Sequence, residues 1–178
     1  SSKTAIGFAH CADARPGIDV VGVTSRTNHA FVHGLGCYDE AITYDEIGAV
    51  PAGAPVVSID MSGNGIVLER VHSHFGNQLR HSMAIGRSHH DAPARAEGLP
   101  GPRPAFFFAP TQVKKRLQDW GTAGYQERLG AALRQFVSDS RTWLEVNRCE
   151  GPDAAGATGR AVHAGSVPPG RGYLVSMR

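Results

Sequence analysis

The first residues that could do chemistry are Ser2, Lys3, Thr4 and Ala5, in the opening run Ser1-Ser2-Lys3-Thr4-Ala5-Ile6-Gly7. Small residues ahead of a helical pattern let backbone N–H groups approach a phosphate at the helix N-terminus. Ser2 and Ala5 stand where the second and third glycines of a Gly-x-Gly-x-x-Gly turn would fall; Ala is an accepted replacement, Ser a poor one. Lys3 adds charge and Thr4 a hydroxyl. A plain Ser-Ser cap before an apolar stripe explains the same residues equally well. A second group, Ser25 and Arg26, follows the apolar run Ile18-Asp19-Val20-Val21-Gly22-Val23-Thr24. An acid at that strand end would hold ribose hydroxyls, whereas a cation suits a phosphate. No acid is present, so Ser25 and Arg26 read as phosphate ligands, the alternative being an exposed loop arginine.

Two more groups end strand-like runs. Asp60-Met61 leads into Ser62, Gly63 and Asn64, small polar residues suited to a crevice at a strand's carboxyl end. Asn64 could equally serve only as the cap of the next helix. Gly86, Arg87 and Ser88 end the following run on the same sheet edge, ahead of His89-His90-Asp91. Adjacent histidines in an extended segment point to opposite sides, so this trio reads as a loop near substrate or solvent rather than a metal site. His72 and His74 read as solvated on a partly exposed helix. There is no Ser-His-Asp order and no serine in a nucleophile elbow, so no catalytic residue is named.

The elements that must position these groups alternate. A helix over 3–13, with Ile6, Phe8, Ala9 and Ala12 inward, leads to a strand over 18–24. A short helix over 28–35, closed by Gly36, leads to a third run at 40–44 and a turn of helix from Asp45. The clearest strand is 55–61; a helix with Ile66, Val67, Val71 and Phe75 follows, then a strand over 79–85. Residues 87–104 form a long loop without periodicity. The run Phe106-Phe107-Phe108 precedes a helix from Thr111 to Trp120, broken at Gly121 and Gly124, and a second helical stretch over 125–143. A weak helix from Gly151 and a strand over 172–177 close the chain. The expected fold is α/β, a Rossmann-like doubly wound, mostly parallel sheet lacking its first strand, because a turn and helix come before any strand. Residues 1–150 read as a dinucleotide-binding domain, and 151–178 as a segment returning toward a catalytic domain.

Composition excludes several classes. The 178 residues suffice for a buried core, and 19% charged residues with a net charge of +2 offer no basic footprint for nucleic acid. No apolar run approaches the ~20 residues that cross a bilayer. Cys11, Cys37 and Cys149 are scattered and form no CxxC pair, which suits a reducing cytoplasm and no zinc cluster.

The stretches Gly22-Val23-Thr24-Ser25, Leu35-Gly36-Cys37-Tyr38-Asp39 and Thr43-Tyr44-Asp45 resemble the quinone-oxidoreductase branch of the medium-chain dehydrogenase/reductase superfamily. More closely, Ile59-Asp60-Met61-Ser62-Gly63-Asn64, His72-Ser73-His74-Phe75-Gly76, the run 79–86 and Phe106-Phe107-Phe108-Ala109-Pro110 resemble the DUF2855 family of that superfamily. The resemblance implies a two-domain enzyme about twice this length, with a GroES-like domain ahead of the cofactor domain. It implies NADP as cofactor, with Ser25, Arg26 and Tyr44 around the 2′-phosphate and residues 2–5 facing the pyrophosphate. Ser62, Gly63, Asn64, Gly86, Arg87 and Ser88 would approach the nicotinamide end. Two positions depart from the pattern: the phosphate turn is not glycine-rich, and Asn28 stands where the superfamily has lysine.

The function this implies is a zinc-independent, NADP-dependent oxidoreductase moving hydride to or from a small carbonyl or enone substrate. The alternative is a non-catalytic, degenerate Rossmann domain that binds a partner or small molecule, which the altered phosphate turn favours. A homodimer joined through residues 105–108, with Phe107 outward, completes the expectation.

Overall fold

The structure, a computed structural model, describes residues 2–86 and 98–177. The chain divides into two compact units, Ser1–Arg128 and Leu129–Arg178. The first begins with helix α1 (Lys3–Asp13), strand β1 (Val21–Thr24), a 3-10 turn (Arg26–Asn28), helix α2 (His29–His33) and strand β2 (Glu40–Thr43). A 3-10 helix (Tyr44–Ala49), strand β3 (Val56–Asp60), helix α3 (Gly65–Phe75), a 3-10 turn (Gly76–Gln78) and strand β4 (Leu79–Ala84) follow. Strand β5 (Ala105–Phe106) and helix α4 (Ala109–Ser140) come next. Ile6 and Ala9 of α1 are buried as the helical stripe requires, though Phe8 is exposed.

Every strand pairing in this unit is parallel. β1 runs beside β2 with Val21 opposite Glu40, a register held at its start by Asp39, whose carboxylate accepts from Val20 N–H at 2.7 Å. β3 runs beside β4, and β4 beside β5. Laid on the doubly wound order 3-2-1-4-5-6, the five strands take places 2 to 6, and no described residue fills the first place. β1–β2 and β3–β4–β5 form separate sheets, so among the described residues β1 and β3 each have a strand partner on one side only. Val23 is 38% exposed and Val57 58%, so the sheet faces on which they lie are not fully covered.

Close packing dictates one glycine here. A Cβ on Gly22 of β1 would lie 2.8 Å from the Tyr38 ring, so this strand position admits only a backbone. Helix α4 starts at Ala109 with Pro110 in its first turn, where a missing N–H costs nothing. Gly121 breaks it, at φ 67° and ψ 171°, but Gly124 does not. Arg116 and Arg128 stack on Trp120, their guanidinium carbons 5.1 and 4.8 Å from the ring centroid, and so span the break.

The second unit holds the end of α4 and a βαβ: strand β6 (Glu145–Glu150), helix α5 (Gly151–His163) and strand β7 (Arg171–Ser176), with β6 and β7 parallel and Asn147 opposite Tyr173. Its strand pair joins residues on both sides of position 150. β6 went unread in the sequence because Glu145, Arg148 and Glu150 leave it too few apolar residues to signal a strand.

Two expectations are corrected. His72 is not solvated: it is 0% exposed, with Nδ1 2.7 Å from the Pro100 carbonyl and Nε2 2.9 Å from Ser82 Oγ. A carbonyl only accepts, so Nδ1 carries the proton and Nε2 accepts from the Ser82 hydroxyl. The phenylalanine run also faces the other way. Phe106 and Phe108 are exposed, at 70% and 57%, while Phe107 is half-buried and its N–H donates to the Ala84 carbonyl.

His72→Ala is expected to lower the unfolding free energy by roughly 2–4 kcal/mol, through the cavity and the two abandoned partners. Denaturant titration of wild type and variant measures this. A loss no larger than that of the half-exposed His74→Ala would remove the bridge from the account.

Candidate functional site

The carboxyl ends of β1, β2, β3 and β4 bear the polar residues. At the end of β3, Asp60 Oδ1 accepts three hydrogen bonds: from Ser62 N–H at 2.8 Å, the Ser62 hydroxyl at 2.8 Å and Gly63 N–H at 3.0 Å. That turn needs Gly63 in the left-handed region, φ 66°. Asn64 then caps α3, its Oδ1 accepting from Ile66 N–H at 3.0 Å and Val67 N–H at 3.4 Å. Asn64 thus performs the capping role weighed for it. Asp60 Oδ2 is buried and has no hydrogen-bond partner among the described residues. A buried carboxylate oxygen in that state lacks a donor it would normally have.

Neighbouring strand ends meet this turn. The Asp60 carbonyl accepts from Ile85 N–H at 2.8 Å, and a Cβ on Gly86 would sit 3.7 Å from the Met61 carbonyl. From α1, Ser2 Oγ reaches Met61 Sδ at 3.9 Å. The structure thereby brings Ser2, Ser62, Gly63 and Gly86 to one edge. Arg87 and Ser88, with His89, His90 and Asp91, lie outside the described residues. Ser2 Oγ also accepts from Ala5 N–H at 3.1 Å, so the helix cap uses one of the amides a pyrophosphate would use. Lys3 and Thr4 are exposed at this terminus and Ala5 is half-buried; partial burial lowers the Lys3 ammonium pKa.

A second cluster forms where β1 and β2 end. Ser25 opens the 3-10 turn, its carbonyl accepting from Asn28 N–H at 3.0 Å. Arg26, next along, lies 3.5 Å from Asp45. Tyr44 precedes Asp45 and is half-buried; burial first, and then the charge of Asp60, raises its phenol pKa. That electrostatic influence connects the two clusters. The sequence reading missed Arg70 of α3, whose Nη1 donates to the Tyr44 carbonyl at 3.1 Å and to Asp45 Oδ1 at 2.9 Å. Asp45 is held below the ordinary aspartate range, chiefly by the Arg70 hydrogen bond. No spacing rule links positions 26, 45 and 70; only the β3–α3 crossover brings them together.

Parallel strands whose polar turns gather at their carboxyl ends define a Rossmann-like α/β protein. The chain belongs to the DUF2855 family, described as proteins of unknown function, which it matches over residues 1–168. Among solved structures it is similar to Escherichia coli K-12 YhdH with bound NADPH, at a TM-score of 0.58 and 19% identity. The likeness covers 99% of this chain and 52% of YhdH, so the chain spans about half the length of that protein; at this identity the likeness is one of fold. No curated protein matches it in sequence.

Asp60→Ala should cost roughly 2–4 kcal/mol of stability, since it removes a charged acceptor of three bonds. Asn64→Ala should cost about 1 kcal/mol, the usual value of a cap. Chemical denaturation of both variants tests the ranking; equal losses would mean Asp60 does not organise the turn.

Proposed function

We propose that this chain is the cofactor-binding part of a zinc-independent, NADP-dependent oxidoreductase of the medium-chain type. When bound, the nicotinamide supplies or accepts the hydride exchanged with a small carbonyl or enone substrate; the protein's task is to position it. The observation that carries the reading is Ser25-Arg26 directly after β1, with no acid at that strand end, where a dinucleotide's adenosine ribose lies in this fold. YhdH, similar in fold, holds NADPH. In this reading Ser25, Arg26 and Tyr44 hold the 2′-phosphate, and residues 2–5 approach the pyrophosphate. Ser62, Gly63, Asn64 and Gly86, with Arg87 and Ser88, border the nicotinamide side. The unpartnered Asp60 Oδ2 fits a site that expects a further donor. Residues 1–150 then form the cofactor domain and 151–178 return toward the catalytic one. The scattered free thiols accord with a cytoplasmic setting. Among the described residues no helix is long and apolar enough to cross a membrane.

One observation favours the rival, a degenerate Rossmann domain that binds without turnover: the Ser2 cap already occupies the Ala5 amide. Titrating the full-length protein with NADPH and NADH separates the two. NADPH should bind the tighter, and Arg26→Ala should weaken NADPH by roughly 1–3 kcal/mol with NADH little changed. Equal weakening of both cofactors would sink the phosphate assignment, and no binding of either would leave the rival standing.

The same reading includes a homodimer through residues 105–108. β5 pairs with β4 on one side, and Phe106 and Phe108 are exposed beside its other edge. Light scattering should find the full-length protein dimeric and Phe106→Asp monomeric; a monomeric wild type at micromolar concentration would dismiss the dimer.

A further inference from the structure

We infer that Arg70 is a second phosphate-recognition residue and that Asp45 is a built-in competitor for it, so that Asp45, Arg26 and Arg70 together set how strongly the site prefers a phosphorylated cofactor. The inference rests on the NADP reading above and adds to it two residues that reading does not contain.

The geometry is that of an anion already seated between two guanidinium groups. The Asp45 carboxylate offers one oxygen to Arg70 at 2.9 Å and the other to Arg26 at 3.5 Å. The arginines come from different elements, one following β1 and one on α3, so their meeting on one carboxylate is a property of the tertiary fold. Arg70 is held in place by its second bond, from Nη1 to the Tyr44 carbonyl. A guanidinium has five N–H donors in a planar fork, and the carboxylate and carbonyl engage only Nη1 of Arg70. The remaining donors match the oxygens of a phosphate. All three side chains are open to solvent, at 84% exposure for Arg26, 63% for Asp45 and 48% for Arg70, so a ligand can reach them.

Charge decides what the cluster prefers. Two guanidinium groups and one carboxylate sum to +1. A ribose phosphate arriving here carries more negative charge than the carboxylate, and three acceptor oxygens in place of two. It can therefore displace Asp45 from both arginines. A cofactor without that phosphate leaves Asp45 where it is. Asp45 thus weakens phosphate binding by competing for the same donors and leaves the unphosphorylated cofactor unaffected.

Full-length wild type, Arg70→Gln, Arg70→Lys and Asp45→Asn would each be titrated with NADPH and with NADH by cofactor fluorescence, after matched thermal melts. We expect Arg70→Gln to lower NADPH affinity about tenfold, the scale of one charge-assisted contact, and to leave NADH within about twofold. Arg70→Lys should restore part of the loss. Asp45→Asn should raise NADPH affinity about three- to tenfold without moving NADH, and the gain should shrink as salt is added. If wild type prefers NADPH while Arg70→Gln keeps the full preference, or Asp45→Asn weakens NADPH, the inference is overturned and the cofactor reading survives. If wild type shows no preference between the cofactors, that reading fails and the inference with it.

Discussion

Asp60 stands where β3 must stop being a strand, and its carboxylate decides how the chain leaves. Oδ1 collects the Ser62 N–H, the Ser62 hydroxyl and the Gly63 N–H, which bends the backbone tightly enough for Asn64 to begin α3 two bonds later. The backbone of the same residue receives Ile85 N–H, so the end of β4 is fixed to the end of β3. Its charge also bears on the Tyr44 phenol, across the edge where β2 ends. One aspartate therefore couples turn geometry, strand register and the electrostatics of the crevice. A neutral substitute would loosen the turn and remove the charge, while the backbone bond to Ile85 would stay.

The two charged groups at this edge obey different physics. Asp60 is partly buried, and its second oxygen lacks a donor, so its interactions are strong and expensive to disturb. Arg26, Asp45 and Arg70 lie in solvent, where an ion pair adds little stability and is screened by salt. An exposed cluster is thus poor as a fold determinant and good as a ligand site: replacing one anion by another there costs little. The fold is fixed by the buried carboxylate, and the exposed ion pairs above it are free to exchange partners.

How far the sequence speaks depends on whether a feature is local. The run of strand and helix from 3 to 84 was readable because parallel strands are nearly continuous apolar runs, and Gly36 and Gly76 mark the ends of helices. The Asn64 cap and the Ser2 cap were open readings because both are three-residue motifs. What failed is non-local. The His72 bridge joins residues 10 and 28 positions away, and on the helix alone its side chain looks like one facing water. Arg70 looks like any surface arginine until the crossover sets it against Asp45. β6 is invisible for another reason: its partner β7 supplies the ladder, and charged residues occupy much of the strand. The outward phenylalanines were misassigned by one position, which in a strand exchanges the faces.

The exposed apolar side chains of β1 and β3 bear on what this unit requires. A parallel strand buried on both faces is stable only with neighbours on each side, because its unpaired N–H and C=O groups otherwise face water and invite pairing with other chains. β1 and β3 each have one open edge among the described residues, and Val23 and Val57 are exposed on them. A parallel strand added at these edges would close the open ladders, whereas the valines need an element laid over the sheet face. Variants that weaken β1 or β3 should accordingly lower the stability of this unit out of proportion to the side-chain volume removed.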